Sequence, residues 1–168
     1  LFDLDKIEAI DKSGEVGFNL YRPEGTAANT VRFKLYNQET QIALSDVLPV
    51  FEHMGFKVIN EGGPHVVHVL DASFERLVIH DFGLESRSGA DIDLAASRDV
   101  FEDAFARVWH GDAESDGFNA LIVGAGLAWR EIVVLRAYCK YLRQVGITYS
   151  QTYMEQTLAR HPEFARLL

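Results

Sequence analysis

The sequence holds one glycine motif of the kind that binds nucleotide phosphates. Gly124 and Gly126 follow the apolar run 120–123, in the order of a buried strand and a phosphate-binding turn. The third glycine of that fingerprint would fall at Trp129, whose indole cannot fit where a helix and a strand nearly touch. Residues 140–150 also lack the acidic residue expected for the ribose. The missing third glycine and the missing acidic residue therefore argue against a dinucleotide site.

The same stretch has the apolar period of helices. From 129 to 142, apolar residues recur at three- and four-residue steps, with basic residues mostly between them. Gly146 follows as a stop signal. We therefore interpret 116–146 as a helix pair, with one helix at about 117–124 and a long one from 128.

A short acidic run precedes this helix pair. Asp112, Glu114 and Asp116 resemble the start of a calcium-binding EF-hand loop, but the twelfth position holds Val123 where a bidentate Glu is required. We interpret these acids as a solvated connector in which Asp116 caps the next helix. Arg136 lies off the main apolar stripe, and the sequence leaves open whether it bridges to a neighbouring segment or is an ordinary surface arginine.

The histidines offer weaker candidates for chemistry. His65 and His68 are three apart on a predicted strand, so they should point to opposite faces, which argues against a zinc site. His80 and Asp81 could be half of a catalytic triad, but neither a serine nor the lone Cys139 has a nucleophile's setting. We predict no catalytic, cofactor-binding or metal-binding residue in this chain.

Composition narrows the classes of function. A net charge of −9 and a pI near 5.1 argue against nucleic-acid binding, which needs a basic face. The sequence contains neither an apolar run of 18 residues nor a secretory signal, so we expect no membrane partner. A single cysteine suits a reducing compartment, and we expect a cytoplasmic protein. Because the chain runs from Leu1 to an apolar end at Leu168, we expect a piece of a longer polypeptide.

Alternating apolar residues predict an antiparallel sheet covered by helices. Predicted strands lie at 16–21, 31–36, 56–59, 65–70 and 76–82. Predicted helices lie at 45–54 and 97–110, a further helix capped by Ser150 runs to about Arg160, and a short last one starts or kinks at Pro162. Ser45 or Asp46 should cap the first of these helices, and 84–93 should be a loop. Residues 1–14 fit a helix or a strand, and 56–70 one bent strand or two. We predict an α+β fold, with a ferredoxin-like sheet and helices on one face at 14–111, then a helical extension at 112–168.

Many short segments together carry a family resemblance. They are LYRPEG (20–25), LSDVLP (44–49), MGF (54–56) with Val58, IHDFG (79–83), Val108-Trp109 with Gly111, DGFN (116–119), LAWRE (127–131), LRAY (135–138), YLRQ (141–144), LARHP (158–162) and RLL (166–168). In this combination the chain resembles the non-catalytic region of the large bacterial NAD-specific glutamate dehydrogenases. Two details depart from that pattern: Ala128 stands where a capping serine is usual, and loop 37–43 lacks the glycine common in ligand-binding ACT domains.

The resemblance implies a function for the longer protein. In that family this region lies upstream of the catalytic domain and contains ACT-like modules followed by helical motifs. The complete enzymes oxidatively deaminate L-glutamate to 2-oxoglutarate and ammonium while reducing NAD, with catalytic residues outside this region. The resemblance thus implies a regulatory or architectural segment without a cofactor of its own. Its partners would be the remaining domains of the polypeptide, in a homo-oligomeric enzyme. The alternative is a free-standing small-molecule-sensing or protein-interaction module with an ACT-like fold.

Two structural expectations follow from the patterns. Phe33 and Leu35 should lie in the core beneath the helices at 45–54 and 97–110. The apolar residues of 147–168 should form a surface that meets the remaining domains and lets the excised chain self-associate.

Overall fold

The computed structural model describes residues 2–69 and 72–168, with side chains from residue 7 onward in these ranges. The helices are α1 Phe2–Ser13, α2 Leu44–His53, α3 Leu94–Trp109, α4 Leu121–Ala125, α5 Trp129–Gln144, α6 Gln151–Arg160 and α7 Pro162–Ala165. The strands are β1 Gly17–Tyr21, β2 Thr30–Gln38, β3 Phe56–His68 and β4 Arg76–Ser86, and a 3-10 turn spans Gly117–Ala120. None of the helices in the described residues combines the length and apolar character that a membrane crossing requires.

The four strands form one antiparallel sheet in the order β1-β2-β4-β3. The elements β2-α2-β3-β4-α3 follow the sequence of the first five elements of a ferredoxin-like βαββαβ unit. Strand β1, from the N-terminal side, pairs with β2 at the edge where that unit places its last strand. The predicted α+β class and antiparallel ferredoxin-like sheet are thus confirmed. The edge strand β1 precedes the other elements of the unit, whereas in a ferredoxin-like unit the corresponding strand comes last.

The main core lies between the sheet and the two helices α2 and α3. Alternation along β2 points Val31, Phe33 and Leu35 to the helix-covered face, and all three are buried. The Phe33 ring centroid lies 5.4 Å from that of Phe51 in α2 and 4.7 Å from that of Phe105 in α3. This confirms the predicted position of Phe33 and Leu35.

Helix α1, whose type the sequence leaves open, covers one end of the other sheet face. Ile10 packs there with Tyr36 and Leu77, which alternate with residues of the main core. A side chain at Gly17 would place its Cβ 2.5 Å from the Ile10 Cδ1 atom, so glycine allows the helix to lie close to β1. Among the described residues, the helices thus cover most of one face and only this end of the other.

Two of the strand predictions need correction or completion. Strand β4 extends to Ser86, so the predicted loop at 84–93 begins too early. Leu84 continues the buried alternation and pairs with Val58, which keeps the chain in the sheet. Strand β3 is a single strand with two register irregularities, and it contains a cis peptide bond between Gly63 and Pro64.

Two helix starts also differ from their predictions. Helix α2 begins at Leu44 after Ala43, which provides no side-chain hydrogen bond, so the predicted Ser45 or Asp46 cap is wrong. Helix α3 begins about a turn earlier than predicted, because the Asp93 Oδ1 atom accepts a hydrogen bond from the Ala96 N–H at 3.2 Å. An aspartate outside the apolar period therefore sets this boundary.

The helical segment shares the core of the sheet domain. Phe118, Leu121 and Ile122 are buried in the same cluster as Phe33. At Gly55, with φ +84°, an added Cβ would lie 3.2 Å from the Ala120 Cβ atom. The junction is therefore packed tightly enough to hold the two parts in a defined arrangement.

Candidate functional site

The junction is organised around Arg136, a charged residue that is only 4% exposed. Its Nε donates to the Asp116 Oδ2 atom at 2.6 Å, and its Nη2 donates to Asp116 Oδ1 and to Asn119 Oδ1, both at 2.8 Å. Asp116 Oδ1 also accepts from the Phe118 N–H at 3.1 Å and so caps the 3-10 turn. The bidentate pairing satisfies a charge that would otherwise be costly to bury.

Further bonds extend this cluster to neighbouring segments. The Asn119 Nδ2 atom donates to the Glu114 carbonyl oxygen at 3.0 Å, and the Gln151 Nε2 atom donates to Asp116 Oδ2 at 3.2 Å. Lys140 Nζ lies 2.5 Å from Glu114 Oε1. Arg136 thus links the acidic connector, the 3-10 turn and α5, with α6 joined through Gln151. Of the two roles that the sequence leaves open for Arg136, the bridging one is correct.

The acidic connector does not gather into a cation site. Asp112 pairs with Arg107 at 3.1 Å, whereas Glu114 pairs with Lys140 and Asp116 with Arg136. Each carboxylate is therefore paired with a basic side chain, and Arg136 also lies 3.8 Å from Glu114 Oε2. Among the described residues, there is no group of three or more His, Cys, Asp or Glu side chains placed to hold a metal ion. The predicted cap at Asp116 is confirmed.

The glycine motif lies at the end of α4, with Gly124 inside the helix and Gly126 directly after it. Residues 117–125 are helical, and Gly126, at φ +68°, ends α4 in the left-handed conformation. Trp129 is the first residue of α5, and its ring lies beneath the guanidinium groups of Arg107 and Arg130, at 5.5 and 4.7 Å. The helix pair is thus confirmed, although its first member is a 3-10 turn followed by the short α4. Past α5, Gly146 lies close beyond the helix end at Gln144, as predicted.

The start of α5 keeps half of a capping box. Ala128 offers no side-chain oxygen, but the Glu131 Oε2 atom accepts from the Ala128 N–H at 2.7 Å. Farther along the same helix, Cys139 lies on the buried stripe, where burial raises the pKa of its thiol. A thiol held in the protonated form is a poor nucleophile, which agrees with the sequence interpretation of Cys139.

His80 and Asp81 point to opposite faces of the sheet. His80 is buried on the helix side, where its Nε2 atom accepts from the Ile42 N–H at 3.2 Å and its Nδ1 atom lies 2.6 Å from Glu61 Oε1. Since Nε2 is an acceptor, the proton resides on Nδ1 and is donated to Glu61. Glu61 reaches His80 from the edge strand β3, a contact that depends on a register shift the sequence does not reveal. His80 thus connects β4 to the edge strand β3 through Glu61 and to the loop before α2 through Ile42.

Asp81 instead joins a polar cluster on the open sheet face. The Tyr21 hydroxyl donates to Asp81 Oδ2 at 2.7 Å, and the Arg32 Nε atom donates to Asp81 Oδ1 at 3.0 Å. Burial, and then the bond to Asp81, raises the pKa of Tyr21 to about 12. This cluster is not among the features predicted from the sequence, although its signal is present in Arg32 and Lys34, which alternate with buried residues of β2.

The two exposed histidines of β3 lie apart from these clusters. His65 pairs in register with Ile79, and His68 with Arg76. The three-residue spacing sends their side chains to opposite sides of the strand, as predicted.

A solvent-open cleft lies at the junction itself. Its volume is about 580 Å³, and the end of α2, the loop after β4, the acidic connector and α6 line it. Its walls carry charges of both signs, including Arg87 with Glu52 at 3.8 Å, and Glu155. His53 Nδ1 and Ser115 Oγ lie 2.9 Å apart and join the two sides. The cleft is a polar groove between the sheet domain and the helical segment.

Comparison with known proteins identifies both parts of the chain. Residues 15–97 match the family model described as glutamate dehydrogenase, ACT3 domain, and residues 113–168 match the model of glutamate dehydrogenase, helical motif 3. The NAD-specific glutamate dehydrogenase of Halomonas elongata is 42% identical over 100% of this chain, which covers 10% of that protein. The enzyme of the same name from Pseudomonas aeruginosa is 33% identical over 99% of this chain and 10% of its own length.

A third relative carries the same name. The NAD-specific glutamate dehydrogenase of Mycobacterium tuberculosis is 38% identical over 75% of this chain and 8% of its own length. The chain thus spans about a tenth of the length of the curated relatives that it matches. The chain belongs to the NAD-specific glutamate dehydrogenase family, of which it contains the ACT3 domain and helical motif 3.

Proposed function

We propose that this chain is a non-catalytic regulatory or architectural segment of a large NAD-dependent glutamate dehydrogenase. One observation carries the proposal: the similarity runs over the whole chain, yet the chain accounts for only about a tenth of each relative. In the complete enzyme, L-glutamate is oxidatively deaminated to 2-oxoglutarate and ammonium with reduction of NAD. The catalytic residues and the NAD site belong to the rest of the polypeptide.

The use of the polar side chains supports a non-catalytic role. His80, Asp116 and Arg136 have the residue types that catalysis employs, but each is committed to bonds that hold segments together. The start of α5, where a phosphate would bind in a nucleotide fold, is occupied by Trp129 and the Glu131 carboxylate. We therefore assign no catalytic, cofactor-binding or metal-binding residue to this chain.

The segment acts through interfaces on this proposal. We divide it into an ACT-like sheet domain, 14–111, and a helical extension, 112–168, locked together by the Arg136 cluster and the shared core. As one rigid unit, it positions or tunes the catalytic domain of the same polypeptide within a cytoplasmic homo-oligomer. Couplings of this kind are typically worth ~1–3 kcal/mol. Neither a nucleic acid nor a membrane is a partner.

The test uses the full-length enzyme with the segment deleted, and separately with Arg136→Met. Both changes should alter assembly, effector response or turnover, within a range of about 5- to 150-fold. They should leave unchanged which amino acid is oxidised. The matched control is Lys140→Met, one turn farther along α5 at an exposed ion pair, and it should behave as wild type. A change in substrate identity on deletion would contradict the proposal, as would a deletion that alters none of these properties.

A free-standing sensor remains the second candidate, and the junction cleft is the observation that favours it. A groove of about 580 Å³ with charges of both signs could take a small zwitterion. The gene's reading frame separates the two candidates directly. A frame that continues into a dinucleotide-binding domain supports the dehydrogenase segment, and a frame that closes near residue 168 supports the sensor.

A further inference from the structure

We propose that the outer face of α5 and α6 is a homodimer interface, which packs on the same face of a second copy. This "α5–α6 face" is defined by Val134, Tyr138, Tyr141, Leu142, Val145 and Tyr153, all between 40% and 61% exposed. The inference deepens the homo-oligomer part of the proposed function, but its test does not depend on catalysis. Four features of the described residues support it.

The first feature is that α5 has two apolar stripes. The inner stripe, which contacts the rest of the molecule, consists of Ile132, Leu135 and Cys139, and the buried Arg136 lies beside it. The outer stripe follows steps of four, three and four residues: Val134, Tyr138, Tyr141 and Val145. A surface helix needs only one apolar stripe, and this second spacing is the one by which helices pack against other helices.

The second feature is the shape of the face. Tyr138 and Tyr141 form a ridge between two hollows, because they line both of them. One hollow, of about 490 Å³, lies against Val133, Val134 and Ala137. The other, of about 660 Å³, reaches Met154 and Leu158. A two-fold axis would place the ridge of each copy in a hollow of the other, which is the self-complementarity that an isologous interface requires.

The third feature is the distribution of charge. Residues 1–112 contain ten Lys and Arg against twenty Asp and Glu, a formal charge of −10, whereas residues 113–168 contain six against five, a charge of +1. Beside the face, Lys140 is paired with Glu114, and Arg130 lies over Trp129. Two copies that meet through the helical segment keep their acidic domains apart.

The fourth feature is the area available. Taking roughly 150–250 Å² for a full large side chain, the exposed fractions of the six residues give about 600 Å². Tyr149, whose ring stacks on Tyr153 at 4.9 Å, and Leu168 adjoin the face and raise this to about 900 Å². A standard specific interface buries about 800 Å² on each partner. The face is therefore large enough for a stable dimer.

The experiment is sedimentation velocity on the 168-residue chain from about 1 to 100 µM, a range that covers typical dimer affinities. We expect a reversible dimer of the 18.9 kDa chain. Tyr138→Lys and, independently, Val134→Lys should weaken it at least tenfold, since each would place a charge in an apolar contact. The matched control is Ile59→Lys, because Ile59 is 49% exposed but lies on the edge strand β3, outside the face. Far-UV circular dichroism verifies that each variant is folded.

Three results would overturn the proposal. The wild-type chain could stay monomeric at 100 µM, its dimer could be indifferent to both lysine substitutions, or Ile59→Lys could disrupt it equally. A monomeric chain, together with a full-length enzyme that is perturbed by Tyr138→Lys, would assign the face to another domain of the polypeptide. None of these results decides the proposed function, which the deletion experiment tests separately.

Discussion

Replacing Arg136 by Met should destabilise the fold by about 3 kcal/mol, toward the lower end of the ~3–5 kcal/mol expected for breaking a buried ion pair. Met keeps most of the apolar volume of the arginine but removes its donors to Asp116 and Asn119. The Asp116 side chain is only 14% exposed, so its carboxylate would lose its charge partner with limited access to water. It would keep the Phe118 N–H and Gln151 as donors, which moderates the loss.

The assay is urea unfolding followed by far-UV circular dichroism, with linear extrapolation to water. Lys140→Met is the matched control on the same helix, because the Lys140 side chain is 48% exposed and its ion pair with Glu114 should contribute about 0–1 kcal/mol. Asp116→Asn combined with Arg136→Met should cost clearly less than the sum of the two single changes, since both remove one interaction. A loss below 1 kcal/mol for Arg136→Met, or equal losses at Arg136 and Lys140, would refute the reasoning.

Three other substitutions test the core, the junction and the open sheet face. Phe33→Ala should cost ~3–5 kcal/mol in the same titration, and a loss under 1 kcal/mol would show that the buried face of β2 is wrongly assigned. Gly55→Ala should cost about 1 kcal/mol more than Gly25→Ala, because both have positive φ but only Gly55 closely approaches the helical segment; equal losses would contradict a tight junction. Since the folded-state pKa of Tyr21 is raised to about 12 from an ordinary value of 10.0, its contribution to the free energy of unfolding is complete below pH 10 and lost as the pH rises to 12. Tyr21→Phe should therefore flatten the decline in stability across that window, and an unchanged decline would contradict the raised pKa of Tyr21.

Local periodicity predicts the elements that depend on one strand or helix at a time. The alternation of β2 correctly places Phe33 and Leu35 in the core, and the Ser150 Oγ atom caps α6 as predicted, by accepting from the Tyr153 N–H at 3.1 Å. The helix pair at 116–146 is predictable because Trp129 rules out the competing strand–turn–helix fingerprint. These features are decided by neighbours within a few residues.

Features that depend on contacts between residues far apart in the sequence cannot be predicted from local periodicity. The end of β4 at Ser86 depends on its pairing with Phe56, and the His80 contact with Glu61 depends on a register irregularity in β3. The partners of Arg136 lie 17 and 20 residues before it, so periodicity leaves its bridging role open. Helix α1 is mixed in polarity, and only its packing through Ile10 against the open sheet face shows its orientation.

The most direct test of the account is calorimetric titration of the 168-residue chain with NAD, with the full-length enzyme as the positive control. On this account the segment has no nucleotide site of its own, because Gly124 lies within α4, Gly126 ends that helix, and Trp129 occupies the fingerprint's third glycine position. We expect no saturable heat from the chain and clear binding by the full-length enzyme. Saturable micromolar binding of NAD to the chain, weakened by a substitution at Gly124 or Gly126, would contradict the central claim.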